Sequence, residues 1–331
     1  MEESNKKGKV CVTGGTGFLG SWMVKRLLEH GYSVNTTIRD DPERKRDISY
    51  LTNLPGASER LQVFEADLDR PDSFAAAIEG CVGVFHVAHP MDLAGKEAEE
   101  VKIKRAVSGI QGILQACVDS ETVKRVVYTS SITTVFYNEK AAGSELVDES
   151  SWTDADFCHR LGENGTPYVV AKTLTERTAL DFAEKHGLDL VTMLPSWING
   201  PFICTRCPDS VRICMALIFA DKKYYQRLTR IGLVHIDDVV RAHIRLFECP
   251  NAKGRYICSA TEITIDVLHE FLSDRYPEFE LAGPDSWKDL TPAILPDFSS
   301  KKLLETGFQY ENGLEEMFDG AIKCCKEKGL L

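Results

Sequence analysis

One stretch near the start of the chain, TGGTGFLG, limits what the rest can become. Gly14, Gly17 and Gly20 recur at G-x-x-G-x-x-G spacing. They lie between a short β-branched run, residues 9–13, and a run with Leu19, Met23, Leu27 and Leu28 at helical spacing, which Gly31 stops. Glycine spacing alone is a weak signal. Between a strand and a helix it specifies a tight turn whose backbone can approach a pyrophosphate, with helix N–H groups and a positive dipole end facing the anion. A plain glycine-rich turn is the competing reading, and the strand-turn-helix setting argues against it.

The same unit repeats up to about residue 200. YSVNTTIR, RLQVFEADL, VGVFHVAH, VKRVVYTSS and LDLVTMLPSWING read as strands two to six, with helices predicted near 97–118 and from about 166 to 186. Strands separated by helices mean βαβ units, and right-handed crossovers make them an α/β fold with a doubly wound parallel sheet, a Rossmann arrangement. Past residue 200 the regularity breaks and prolines punctuate shorter elements, which predicts a smaller C-terminal substrate lobe over the carboxyl edge of the sheet. The expected division is a nucleotide-binding domain at 1–200, with a return segment at about 233–258, and a mainly substrate-binding lobe at 201–331. GLEEMFDGAIKCCKEKG near the end reads as an amphipathic packing helix.

Composition excludes several partners. The 331 residues are 43% hydrophobic and carry a formal net charge of -11, the wrong sign for a nucleic-acid backbone or an anionic membrane surface. No run approaches the roughly 18 apolar residues of a membrane span, and no leader pattern opens the chain, so a cytoplasmic location is expected. The 11 cysteines are scattered and odd in number, as for reduced thiols packed as small hydrophobes. CTRC is a lone CxxC without two further ligands, and the eight histidines form no ligand motif, so no metal is expected.

The end of strand two bears on the cofactor. NAD-binding proteins tend to place an acid there for the ribose 2′-OH; this chain has Arg39, with Arg44 and Lys45 close behind. Such a cluster suits a 2′-phosphate and favours NADP(H) over NAD(H), although Asp40 and Asp41 dilute it. A solvated basic helix start is the alternative. Asp67 either accepts from an adenine amino group or caps the next helix, whose first turn suits Pro71.

YVVAK places Tyr168 and Lys172 on one face of the predicted helix between strands five and six. A nearby ammonium favours the phenolate and would lower the tyrosine from its usual pKa of about 10, towards working pH. A serine of YTSS, at the end of strand five, would join them at the carboxyl edge. Spacing does not choose between Ser130 and Ser131.

Taken together, VTGGTGFLGSW, VFHVA, YTSS, YVVAK, GPFI, VHIDDV and GRYICS resemble the extended short-chain dehydrogenases/reductases of plants, over nearly the whole chain. The dihydroflavonol reductase and vestitone reductase group is nearest; LTERTALDFAEKHGLDLVT and FECPNAKGRYICS are also similar to noscapine synthase, an alkaloid dehydrogenase of that group. The resemblance implies an oxidoreductase in which Ser131 orients a carbonyl. Tyr168 protonates its oxygen as hydride arrives from the nicotinamide, and Lys172 lowers the tyrosine pKa and binds ribose. It also implies cofactor contacts at Thr13, Gly14, Gly15, Thr16, Gly17, Phe18, Leu19, Arg39, Arg44 or Lys45, Asp67, Leu68, Val87, Ala88, His89, Pro195 and Ser210. Its relatives are often monomers, so a monomer or weak homo-oligomer with a small-molecule substrate is expected.

Three departures bear on the substrate. His89 stands where the family usually has Thr or Ser, either lining the pocket or titrating in it. Phe136 replaces the Asn or Asp that dihydroflavonol reductases use for ring hydroxyls, and RIGLVH lacks their Gln just before the His. Without those partners a buried hydroxyl is penalised, which favours a more apolar or methylated ring system. Trp197 either adds an aromatic wall or packs in the core. The expected function is NADPH-dependent reduction of a ketone in plant specialised metabolism, isoflavanone- or flavonoid-like. One alternative is an NAD(P)-dependent alcohol or hemiacetal dehydrogenase on an alkaloid. Another is a non-catalytic NADP(H)-binding scaffold, against which the intact Ser131, Tyr168 and Lys172 argue.

Overall fold

The computed structural model describes residues 7–39, 47–90, 98–141, 144–161, 166–291 and 295–331. Arg44 and Lys45, with Asp40 and Asp41, lie outside the described residues. Five strands follow the expected alternation: β1 (Lys7–Thr13), β2 (Tyr32–Ile38), β3 (Leu61–Glu65), β4 (Gly83–His86) and β5 (Arg125–Thr129). After the short β6 (Leu146–Val147) come β7 (Leu190–Pro195), β8 (Trp197–Asn199), β9 (Arg230–His235), β10 (Gly254–Cys258), β11 (Thr261–Thr264) and β12 (Asp297–Phe298).

A seven-stranded sheet runs β10-β7-β5-β4-β1-β2-β3, with every neighbouring pair parallel. Helices cover both faces, so the central strands are buried on both sides, and β1, β4 and β5 read as largely apolar runs; Val10, Cys11 and Val12 have no solvent exposure. The order reverses between β1 and β4, and there the carboxyl ends of the strands open a crevice.

Two features depart from the six-strand reading. The run expected as strand six breaks at Ser196: β7 ends at Pro195, the Ser196 N–H donates to the Cys258 carbonyl at 3.0 Å, and β8 enters a second sheet, β11-β9-β8. An unbroken apolar run cannot show where a strand changes sheets. The seventh strand, β10, is supplied from well past residue 200, beside β7. The helix Ile236–Glu248 leads back to it and packs on the helix Phe18–Glu29. The His235 side chain caps its first turn, accepting from the Asp237 N–H at 3.1 Å. Trp22 Nε1 and Arg26 Nη2 then donate to the Asp237 carboxylate at 2.7 and 2.9 Å. The terminal helix Leu314–Glu327 buries Met317, Phe318, Ala321 and Ile322 in a second core with β9 and the 204–232 segment. All eleven cysteines are free thiols.

The first turn depends on close backbone approach. A Cβ on Gly20 would lie 2.1 Å from the Gly14 carbonyl oxygen, and one on Gly15 the same distance from Thr36 Oγ1. Gly20→Ala forces backbone to move and should cost about 1–3 kcal/mol. Gly283→Ala, in open space at a negative φ, should cost little. Thermal unfolding of the two variants checks this, and an unchanged midpoint for Gly20→Ala would contradict it.

Candidate active site

The crevice is bounded on one side by the turn after β1. Gly14 adopts φ +75, its N–H donates to Thr37 Oγ1 at 3.1 Å, and the Gly15 N–H donates to the Thr37 carbonyl at 2.9 Å. A side chain on Gly14 would press on Ala88, and Gly17 is exposed at the mouth of the turn. The helix Phe18–Glu29 starts there, leaving its first N–H groups without intrahelical partners. A left-handed glycine, an open face and free helix N–H groups fit a dinucleotide pyrophosphate.

On the other side of the crevice is the chain leaving β4. The Thr13 hydroxyl accepts from the Val87 and Ala88 N–H groups, both at 3.1 Å, and lies 2.8 Å from His86 Nδ1. Two accepted bonds use both lone pairs, so the hydroxyl hydrogen goes to Nδ1, and His86 is neutral with its proton on Nε2. Burial, with the nearby Lys172 ammonium, pushes the His86 pKa down to about 3. His89 sits edge-on to the Tyr168 ring, with centroids 5.5 Å apart. Burial and then Lys172 hold it well below its ordinary value, so it is neutral at working pH. The alternative of a titrating His89 is therefore not favoured.

The residues expected to react stand across the carboxyl edge. Tyr168 lies in the first turn of the helix Thr166–His186, with 40% of its surface open and its hydroxyl hydrogen-bonded to Ser131. Ser131 also accepts from the Thr133 N–H at 3.2 Å and the Thr133 hydroxyl at 3.0 Å. Ser130 points the other way and donates to the buried Glu176 at 2.7 Å. The pair that spacing left open is thus separated by geometry: only Ser131 meets the phenol. Lys172 is buried one turn on, and its ammonium donates to the Thr129 carbonyl at 2.9 Å.

The electrostatics differ from the acidified phenol expected from the motif. Desolvation raises the Tyr168 pKa, with the Ser131 hydrogen bond acting in the opposite direction. Desolvation also lowers Lys172 to about 7, against the pull of Glu176. Desolvation penalises the charged form of both groups, of the buried Lys172 most directly and of Tyr168 despite its partly open surface, which the pairing in sequence did not reveal.

The other expected residues are distributed unevenly. Thr16, Phe18 and Leu19 lie in the turn and helix start, Pro195 ends β7, and Ser210 is half-buried in the short helix Asp209–Cys214. Arg39 is exposed just past β2. Asp67 accepts from the Asp69 N–H at 3.0 Å, a local turn and not a helix cap. The Leu68 side chain is in a core with Phe74 and Ile110, so it does not face the crevice. Phe136 packs on Tyr137 and Phe298, at centroid distances of 4.3 and 5.5 Å, within a small core. Trp197 is half-buried on β8 with the Arg227 guanidinium over it at 5.8 Å. Sequence reasoning missed the buried Glu176–Arg255 pair behind Ser130; its one signal was that Glu176 continues the four-residue step from Tyr168 to Lys172. Among the described residues no group of metal-ligating side chains gathers, and no helix is long and apolar enough to cross a membrane.

Residues 10–258 match the NAD dependent epimerase/dehydratase family. The chain is 53% identical to vestitone reductase of Medicago sativa over 98% of its own length and 99% of the relative's. It is 47% identical to noscapine synthase SDR1 of Papaver somniferum, over 100% of this chain and 96% of that one. The crystal structure of vestitone reductase from alfalfa superposes with a TM-score of 0.87 at 50% identity, covering 98% of this chain and 100% of that one.

The buried ammonium gives a pH signature. Below pH 7 both folded and unfolded chains carry the Lys172 proton, and the full cost of burying it is felt. Between 7 and the ordinary 10.5 only the unfolded chain holds that proton, so stability from this group rises with pH. Lys172→Met should therefore gain on the wild type most at pH 6. The gain should shrink towards pH 10, by on the order of 4 kcal/mol across the window. Denaturant unfolding at both pH values measures it, and a difference that ignores pH would contradict the assignment.

Proposed function

This chain belongs to the NAD dependent epimerase/dehydratase family, among the plant extended short-chain dehydrogenases/reductases, and from that premise we propose an NADPH-dependent ketone reductase of plant specialised metabolism. The substrate we assign is isoflavanone- or flavonoid-like, as the name of the 53% identical vestitone reductase suggests. The observation that carries the reading is the hydrogen-bonded Ser131–Tyr168 pair, open to the crevice, with Lys172 buried one turn behind it.

The bound cofactor would supply the hydride that reduces the carbonyl carbon. Ser131 orients the carbonyl oxygen through its hydroxyl. Tyr168 holds the proton for that oxygen: its raised pKa keeps the phenol protonated at neutral pH, the state a donor needs when the reaction runs as reduction. Lys172 offers its ammonium to ribose hydroxyls. The turn from Thr13 to Leu19 receives the pyrophosphate, Asp67 and the backbone at Leu68 face the adenine side, and Val87, Ala88, His89, Pro195 and Ser210 complete the cofactor channel. Arg39 reads a 2′-phosphate, which makes NADP(H) the preferred cofactor.

Residues 1–200 with the return segment 233–258 serve the nucleotide, and the rest of 201–331 mainly serves the substrate. His89 and Trp197 line the substrate side. Phe136 offers a hydrocarbon surface packed on Phe298 and no hydrogen bond, which supports a methylated or apolar ring over a polyhydroxylated one. The enzyme is assigned to the cytoplasm as a monomer or weak homo-oligomer. The 47% identity to noscapine synthase supports a second reading, oxidation of an alkaloid alcohol or hemiacetal by the same residues.

Tyr168→Phe should lower kcat at least about 100-fold while NADPH affinity stays near wild type, as for loss of a proton donor. Turnover at a comparable rate would remove the tyrosine from that role. Fluorescence titration should show NADPH binding more tightly than NADH, with the preference reduced in Arg39→Ala; equal affinities would remove Arg39 from cofactor choice. A panel of ketones and alcohols with both cofactors, read by mass spectrometry, separates reduction of a phenolic ketone from oxidation of an alkaloid.

A further inference from the structure

Behind the reacting groups, away from the crevice, lies a buried ion pair. Tyr168, Lys172 and Glu176 are spaced four apart on one stripe of the helix Thr166–His186. Glu176 has no solvent exposure. It accepts from Ser130 Oγ at 2.7 Å, Thr192 Oγ1 at 2.8 Å and Arg255 Nε at 2.9 Å. Arg255, on β10, is also buried. Its guanidinium donates to the Glu149 and Ser151 carbonyls at 2.9 and 2.6 Å and to Thr134 Oγ1 at 2.9 Å, and it lies over the Trp152 ring at 3.5 Å. Thr134 in turn donates to the Ser131 carbonyl at 2.9 Å.

We propose that Glu176 and Arg255 are a positioning pair for the reaction: the carboxylate stands one helical turn from Lys172 as its buried counter-charge, and the two residues together hold the Ser130–Ser131 segment from both sides, through the Ser130 hydroxyl and through Thr134. This rests on Ser131, Tyr168 and Lys172 being the reacting set. A burial cost this large is not repaid by attraction alone, because replacing a buried ion pair with neutral groups is often neutral for stability. A role in function therefore accounts for it better than a role in stability. The pair saturates its hydrogen bonds to β7, to the residue that follows β5, to the short helix Thr133–Phe136 and to the 149–151 loop, so its charges are fixed in place.

The groups facing Lys172 identify Glu176 as its electrostatic support. From the end of β4 come His86 and His89, both neutral. From β5 comes the Tyr128 ring at 5.3 Å from the ammonium, and from its own helix Tyr168 and Glu176. Arg255, on β10, stands beyond the carboxylate. The helix Glu99–Asp119 packs alongside with apolar groups such as Ile103. Glu176 is the charge that opposes desolvation of the ammonium.

The test is the double variant Glu176→Gln, Arg255→Met, which removes both charges while Gln can still accept from Ser130. Carbon-13 NMR of lysine-labelled protein without cofactor follows the Lys172 side chain, assigned by its loss in Lys172→Met. The expected result is a downward shift of its titration by about half a pH unit or more: losing the carboxylate lowers Lys172, and losing the guanidinium, which stands beyond it, only partly offsets that. In turnover assays kcat should fall several-fold at pH 7, with the pH limb displaced in the same direction. If the double variant does not fold, Glu176→Asp keeps the charge but withdraws it, and should move Lys172 the same way by less. A Lys172 titration equal to wild type in whichever variant folds overturns the proposal. Because the NMR readout needs no substrate, its failure is distinct from a wild type that reduces no carbonyl, which would instead sink the functional reading.

Discussion

A single hydroxyl ties the sheet together at the place where it has to part. Crossovers from β1 and β4 leave in opposite directions, and the last residues to face one another are Thr13 and His86. Beyond that pair Thr13 Oγ1 reaches across to the Val87 and Ala88 N–H groups and to His86. The turn that fits a pyrophosphate and the segment that carries His89 to Tyr168 are thereby fixed to one atom. Its three partners also define the protonation of His86, since a hydroxyl with both lone pairs in use has only a proton left to give. An alanine in its place would leave two N–H groups and a ring nitrogen unpaired, the costly side of hydrogen-bond energetics.

The site built on that tie carries less mobile charge than its residue names imply. Both histidines near the crevice are held neutral, Tyr168 is held protonated, and Lys172 is close to losing its proton. All four shifts have burial as their first cause, so they form one property of the crevice, a low-dielectric floor. In such surroundings a single fixed carboxylate has more leverage than it would in water. That makes the side of the helix turned away from the crevice as relevant to the chemistry as the side turned towards it.

Local pattern carried most of the fold and half of the site. The glycine turn, the alternation of strands with helices, and the four-residue step from Tyr168 to Lys172 are all short-range features. What stayed hidden was long-range. Glu176 meets Arg255 across 79 positions, and nothing in either local sequence announces the meeting. The break at Ser196 depends on a carbonyl at Cys258, and β10 takes its place only because β7 is there to receive it. Leu68 and Phe136 were expected at the ligand from their counterparts in relatives. Their side chains went into cores whose other members, Ile110 and Phe298, are remote in the chain. The direction of the Tyr168 shift was misread for a related reason. A neighbour in sequence was visible, while the desolvation that outweighs it is a sum over the whole fold.

Selectivity and chemistry are supported from opposite directions. Tyr168 and Lys172 rest on a long helix and Ser131 just past the end of β5, pinned from below by buried polar groups whose partners come from β7 and β10. Trp197 and the 204–232 segment belong instead to shorter elements joined to the second core. The hydrogen bonds that hold Ser131 and Lys172 involve none of those shorter elements. Rigid elements hold geometry better than loops do, whereas loops tolerate substitution. An arrangement of this kind keeps the geometry of Ser131, Tyr168 and Lys172 apart from the packing of the shorter elements, which is why the reaction class was legible in local motifs while the ring was not.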